Sequence, residues 1–407
     1  MTKVLFIAPI LTFPYAGGPE MSAHNAIKAL NKISELHIIT TMPLAKMGGN
    51  QAFQYYGKIS KQLDFTPIAQ EQNFLENYFI KKIRKYFFTK GKKNEADDVR
   101  YIIKYYDQNN IDIIWSDRHE FSYNLIFEIK KLRPNIKIVC DTAAVHSQFI
   151  LREIPFQKDK SKIKKIKKSG KEYENYEKKL VNIADVTTAV SEIDASIFKS
   201  WTKHKERIFV FPNVVDLENY KKIKTSNTIK TPSLLIAGTF YEQSPMEHGT
   251  RWFLNNVLPK VRKEFPEIFV YIIGKGSDWI LRDIADPKII ITGKVDSVSP
   301  YLHNTSIGLV PLHFESGTRF KILEYGTASL PTVSTSLGAE GLNLGKNVSI
   351  LIEDNPIKFA QVIINLLKNK ALRIKMGKNL YKVVKKNYSI DSLASSGSKI
   401  IKYLMSQ

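Results

Sequence analysis

Residues 316–324 read Ser-Gly-Thr-Arg-Phe-Lys-Ile-Leu-Glu. A small, glycine-containing turn there leads into a helix that carries Arg319 and Lys321 in its first turn. Free backbone N–H groups and the positive dipole end of such a start bind phosphate readily. Arg319 adds a bidentate contact and Lys321 a point charge. Glu324 follows about a turn later, where a carboxylate accepts hydrogen bonds from ribose hydroxyls. Cations in a first turn oppose the dipole preference, which favours a phosphate-binding start over an ordinary amphipathic helix. The chemistry implied is recognition of a phosphorylated, ribose-bearing ligand.

Two other polar groups follow apolar runs. His146 sits in Asp-Thr-Ala-Ala-Val-His-Ser (141–147), directly after a strand-like run, and Asp117-Arg118-His119-Glu120 follows another. The second crowding suggests contact with a second substrate, with helix capping by Asp117 as the equal alternative. His24 is a weaker candidate. No Ser-His-Asp order, Walker sequence, HExxH or Cys/His metal spacing is present. The single cysteine, Cys140, excludes an intrachain disulfide and a Cys-rich zinc site. No Asp-x-Asp stands at a plausible metal-binding strand end, so no metal is expected.

These residues must be positioned by an α/β scaffold. Short, mostly uncharged runs rich in β-branched residues at 4–8, 36–40, 111–116, 137–140, 186–190 and 208–211 alternate with helix-like stretches at 20–30 and 121–132. Such alternation indicates a parallel sheet covered on both faces. The pattern lapses into polar residues around 212–231, with Lys221, Lys222 and Lys224, and restarts with runs at 234–237, 268–273, 289–292, 306–310 and 332–334. Helices are expected near 251–265 and 319–328. We therefore expect two Rossmann-like doubly wound domains: residues 1–212, a linker at 213–231, and 232–387. Open α/β sheets bind ligands at the carboxyl ends of their strands, here in a cleft between the two domains.

The 407 residues include 61 Lys plus Arg against 39 Asp plus Glu, a net charge of +22 that attracts polyanions. A hydrophobic fraction of 43% excludes global disorder. The opening run is broken by Pro9 and reads as a buried strand rather than a signal peptide. No stretch approaches the roughly 18 uncharged apolar residues that a spanning helix needs.

Taken in order along nearly the whole chain, these segments resemble the group 1 (family four-like) retaining glycosyltransferases. Phe314-Glu315-Ser316-Gly317-Thr318-Arg319-Phe320-Lys321-Ile322-Leu323-Glu324 is similar to the donor-binding segment of that family, and Pro331 to Leu342 to its next strand and loop. Asp185 to Ser191 resembles the last N-domain strand, Pro212-Asn213-Val214-Val215-Asp216 the hinge entry, and Gly17-Gly18 the N-terminal glycine loop. The resemblance implies a GT-B fold, with the acceptor on the N-domain, a nucleotide-diphosphate-sugar on the C-domain, and residues 388–407 as a helix crossing back to the N-domain.

It also implies residue roles. Glu324 matches the second glutamate of the family pattern and would hold the ribose. The first position falls on Ser316, with Glu315 displaced by one, so either Glu315 reaches the sugar or Ser316 and backbone amides replace it. His146 would line the sugar pocket, and Gly18, Gly238, Gly317 and Thr318 would border the donor. The basic pair that many relatives carry after the first C-domain strand is missing; Arg251, in Gly-Thr-Arg-Trp-Phe, is the nearest cation, with a surface salt bridge as its alternative role. The diphosphate would then rest on Arg319 and Lys321, and Asp117, Arg118 and His119 would meet the acceptor.

The implied reaction is sugar transfer with retention, without a metal or other cofactor, onto a glycan or lipid-linked acceptor of a bacterial-type surface polysaccharide. A cytoplasmic protein peripheral to the inner face of the membrane follows. Residues 78–93 mix aromatics with Lys81, Lys82, Arg84, Lys85, Lys90, Lys92 and Lys93, and residues 158–171 hold eight more lysines. Both suit an anionic membrane surface. Alternatives are a nucleotide-sugar epimerase of the same architecture, a catalytically silent partner subunit, and a basic scaffold for nucleic acid, for which no recognised module is present.

Overall fold

The structure is a computed structural model that describes residues 1–15, 17–70, 91–220 and 229–407. The basic aromatic segment from Tyr78 through Lys90, with Lys81, Lys82, Arg84 and Lys85, lies outside the described residues, as do Lys221, Lys222 and Lys224. The chain forms two units, Met1–Asn213 with Ile390–Gln407, and Val214–Ser389.

The first unit is a seven-stranded parallel sheet. Its strands are β1 (Lys3–Ala8), β2 (Glu35–Thr40), β3 (Gln62–Phe65), β4 (Ile113–Ser116), β5 (Lys137–Cys140), β6 (Val186–Ala189) and β7 (Ile208–Val210). They lie in the order β3-β2-β1-β4-β5-β6-β7, with Val4 opposite both Leu36 and Ile113. The central strands β4 and β6 are buried at every position, as uncharged runs covered on both faces must be. The chain moves outward from β1 to β3 and then returns to β4 on the other side of β1. Their carboxyl ends are therefore a switch point, where diverging loops open a crevice.

The second unit repeats the scheme with β8 (Ser233–Ala237), β9 (Phe269–Ile273), β10 (Ile289–Ile291), β11 (Ile307–Val310), β12 (Thr332–Ser334) and β13 (Leu351–Ile352). The order is β10-β9-β8-β11-β12-β13, and the switch point falls between β8 and β11. The helix expected near 251–265 is part of a longer run. Helix Pro245–Trp252 passes through a π-helical stretch, Phe253–Val257, into Leu258–Glu264. Pro259 lacks an N–H and its ring crowds the carbonyl four residues back, which accounts for the wider turn just before it.

The C-terminal helix Ile390–Met405 belongs to the first unit. Its stripe of Leu393, Ala394, Ile400, Ile401 and Leu404 is buried, Tyr403 packs on Phe209 at 5.3 Å, and the Leu404 carbonyl accepts from Lys137 Nζ at 2.6 Å. Among the described residues no helix is long and apolar enough to cross a membrane.

Candidate functional site

In the second unit, the loop after β11 leads to helix Phe320–Thr327. Helix and sheet are joined through Tyr325, whose hydroxyl accepts from Ala237 N–H (3.2 Å) and donates to Leu309 O (3.3 Å). Gly308 makes room for that ring, because a Cβ there would lie 2.5 Å from it. Gly249 does the same for the loop: a Cβ would come within 2.1 Å of Pro311 O. The helix start is thereby fixed over the β8/β11 switch point, with Gly238 at the end of β8.

Arg319 does not stand in the first helical turn as expected. It is the N-cap residue, 3% exposed, with Nε 3.2 Å from Glu315 Oε2 and NH1 donating to Gly317 O. Its guanidinium is thus turned back into its own loop, and Glu315, one turn before it, balances the charge. Arg319 therefore acts through the conformation of the Glu315–Thr318 loop, and no bidentate fork is presented outward. Ser316 is partly exposed in that loop and Thr318 is buried.

Lys321, the second residue of the helix, is partly buried. Burial pulls its ammonium below the usual range, against the attraction of Glu315 and Glu324. Glu324 faces the same region one turn on. Its Oε1 accepts from the Tyr220 hydroxyl at 2.7 Å, and burial raises its carboxyl above the ordinary value while the Tyr220 bond and Lys321 oppose the rise. A cation and a carboxylate three residues apart, beside a helix start without a side-chain cap, suit a diphosphate and a ribose.

Arg251 is engaged by carboxylates. Its Nε bonds to Glu247 Oε1 (3.0 Å), NH1 and NH2 grip Asp283 (2.8 and 2.9 Å), and NH2 also reaches Ile280 O (2.9 Å). That fork ties helix Pro245–Trp252 to the segment after β9, which is the salt-bridge alternative to the donor contact expected of Arg251.

Sequence reasoning passed over Tyr220 and two histidines here. His313 follows β11 just as His146 follows β5, so the same strand-end rule would have found it. Its ring lies 5.4 Å from His248 and 4.6 Å from Trp252. Burial lowers both histidines from their ordinary value, holding them neutral.

In the first unit, Gly18 opens helix Gly18–Asn31 beside the end of β1, behind Gly17 at the N-cap and ahead of Pro19. His24 is buried within that helix and stacks on Tyr15 at 4.2 Å. Asp117 follows β4, and its N–H donates to Ile7 O at 3.1 Å, across the switch point. Its side chain is buried, and its Oδ2 has no hydrogen-bond partner among the described residues. Burial, then the neighbouring Asp141, push its carboxyl well above the usual range. It does not cap the next helix: Arg118 is the N-cap of His119–Leu132, and no side-chain capping bond is made.

Arg118 and His119, expected to meet an acceptor, turn toward carboxylates of their own unit. Arg118 takes a left-handed φ of 55° and pairs with Glu120. His119 is 3% exposed, with Nε2 3.0 Å from Glu177 Oε1 and Nδ1 3.4 Å from Glu120 Oε2. Burial alone would pull the His119 imidazole down, but the bond to Glu177 and the charge of Glu120 outweigh it and raise the value. His146 begins helix His146–Leu151 with a half-buried ring, 4.5 Å from Tyr173 and 6.5 Å from His119; burial keeps it neutral. Glu177 was missed. Its one signal is an acidic residue on the apolar stripe of a lysine-rich helix, Lys160–Ile183, level with Gly170, Leu180 and Val181.

Residues 231–369 match the family model described as Glycosyl transferases group 1. A Klebsiella pneumoniae protein described as an uncharacterized 44.6 kDa protein in the cps region is 25% identical over 173 residues, which is 40% of this chain and 44% of that protein. The structure of a glycosyltransferase from Rickettsia africae superposes with a TM-score of 0.67 at 13% identity, covering 99% of this chain and 98% of that one. Anabaena HepE in complex with UDP and glucose gives 0.66 at 9% identity over 99% and 100%. The likeness gives this chain the two-unit α/β fold of the GT-B glycosyltransferases, and the group 1 glycosyltransferase match falls on the unit that holds Arg319, Lys321 and Glu324.

Proposed function

We propose that the protein transfers a hexose-type sugar from a nucleotide-diphosphate-sugar to a glycan or lipid-linked acceptor in the making of a bacterial-type surface polysaccharide, with retention at the sugar carbon. The observation that carries this reading is the Lys321/Glu324 pair on a helix start at the β8/β11 switch point, inside the matched residues. Glu324 accepts from the ribose, Lys321 and the backbone N–H groups of the helix start offset the diphosphate, and Arg319 holds the loop through Glu315. The first unit serves the acceptor, with His146 and Asp117 at its switch point. The Anabaena structure holding UDP and glucose supports a nucleotide-sugar donor, and the cps-region relative supports the surface-glycan setting.

In a retaining transfer of this kind the departing phosphate oxygen accepts the acceptor's proton on the face from which it leaves. The protein then contributes positioning and stabilisation of the leaving diphosphate rather than an activated nucleophile. No metal is required in this reading, the positive groups taking that part. A cytoplasmic enzyme peripheral to an anionic membrane is the setting proposed, docked through the basic faces.

Thermal-shift binding across UDP, GDP, CDP, dTDP, ADP and their sugar conjugates tests the donor site, followed by transfer assays with the donor that binds. A shift confined to one base and lost in Glu324→Ala is expected. Binding without turnover on any acceptor would mark a silent partner subunit, conversion of the donor to an epimeric nucleotide-sugar would mark an epimerase, and free nucleotide released without acceptor would mark a hydrolase. No binding at all would overturn the reading and send the test to polyanions.

A further inference from the structure

Helix His146–Leu151 has an unusual start. Its N-cap, Val145, has no side-chain acceptor, and the amides it leaves open are satisfied from another helix. Glu177, 31 residues downstream, accepts from His146 N–H through Oε1 (2.6 Å) and from Ser147 N–H through Oε2 (3.2 Å); Oε2 also accepts from Ser147 Oγ (2.5 Å). Its Oε1 additionally meets His119 Nε2 at 3.0 Å. One turn earlier on the same helix, Tyr173 packs its ring on the His146 imidazole at 4.5 Å. A local Ser or Asp would have sufficed as a cap. A distant carboxylate that also grips the loop after β4 joins two strand-end loops into one body.

The carboxylate is 1% exposed, so it needs a compensating charge. His119 supplies one, and Glu120 and Arg118 extend the row into alternating signs: Glu177, His119, Glu120, Arg118. With His119 protonated the four sum to zero. The other titratable groups around His119 are His146, Asp117 and Asp141, whose carbonyl accepts the His119 N–H at 3.2 Å.

We infer that Glu177 is a positioning residue for His146, holding its amide and, with Tyr173, the place of its imidazole, and that this hold depends on the proton carried by His119. The inference rests on the transfer proposed above for its catalytic consequence, but the hold on His146 is measurable without it. Burial lowers and the two carboxylates raise the His119 value, with a net rise, so the proton is held to higher pH than on a free imidazole and is lost as pH climbs through the raised value. Above it, a net negative charge is left buried beside the His146 amide.

The test is Glu177→Gln in the full chain, which keeps the shape but sets an amide donor against the Ser147 or His119 donor. The expected result is a fall in kcat of roughly tenfold to a hundredfold with donor KM within about twofold, as for a misplaced group. Faster hydrogen exchange at the amides of His146 and Ser147, with the strand amides unchanged, should accompany it. Parent-like kcat and parent-like protection of those two amides would overturn the inference. If Glu177→Gln does not fold, His119→Gln decides: it should lack the alkaline fall in kcat seen in the parent, and an unchanged pH profile overturns the role of the His119 proton. If the parent transfers no sugar from any donor, the proposed function fails. The exchange comparison then still supports or overturns the hold of Glu177 on His146.

Discussion

Asp141 stands at the carboxyl end of β5 with its side chain sealed from solvent, accepting from Trp115 Nε1 at 2.8 Å and from the Thr188 hydroxyl. Burial raises its carboxyl from 3.8 to about 6, although the Thr188 and Trp115 bonds and Arg118 pull the other way. For a carboxylate raised in the folded state, the sign of the linkage is opposite to the usual one. The folded protein binds the proton more tightly than the unfolded chain between the two values. The corresponding stability is present below 3.8 and is lost as pH rises through about 6. The span between the values amounts to about 3 kcal/mol. Asp141→Asn keeps an acceptor for Trp115 and removes the titration. Relative to the parent, the variant should therefore gain about 2 kcal/mol between pH 4 and pH 8, whatever constant it loses from an altered bond to Thr188. Native-state hydrogen exchange of the β5 amides, corrected for intrinsic rates at each pH, reads the opening free energy of this unit in the whole protein. Parent and variant curves running parallel from pH 4 to pH 8 would show that Asp141 does not titrate there and that the burial argument is wrong.

Glu324→Gln should weaken nucleoside diphosphate binding by roughly tenfold to a hundredfold, the worth of a hydrogen bond to a charged group, with the unfolding midpoint of the free protein little changed. Isothermal titration with the diphosphate found by thermal shift measures it, and unchanged affinity would remove Glu324 from the site. Arg251→Gln should behave in the opposite way, lowering the unfolding midpoint slightly through the lost grip on Asp283 while affinity stays within about twofold. A large loss of affinity there would restore Arg251 to the donor. Neutralising Lys81, Lys82, Arg84 and Lys85 together should reduce sedimentation with anionic vesicles, and equal sedimentation of variant and parent would end the membrane proposal for that segment.

How far such arguments could be made from the residues alone depended on the range of the forces involved. The strands buried on both faces were legible because an uncharged β-branched run has few other stable fates. β3 and β13 were not: Gln62-Leu63-Asp64-Phe65 alternates like an edge strand, and Leu351–Ile352 is too short to stand out. The site loops were legible for the same reason as the strands, since Asp117, His146 and Gly238 follow readable runs. Where each side chain then turns was set by partners the local sequence does not name. His119 faces inward because Glu177 lies 58 positions on, and Arg251 is held by Asp283, 32 positions on. Arg319 is the instructive exception. Its partner Glu315 is only four residues away, a spacing visible in the sequence, yet a cation at a helix start also fits a phosphate. A cation at a helix start is evidence for an anionic ligand only after the carboxylates within one turn have been set against it. By that rule Arg319 is balanced by its own loop. Lys321 feels Glu315 and Glu324 without an ion pair to either among the described residues, and it is the cation through which a diphosphate should be sought.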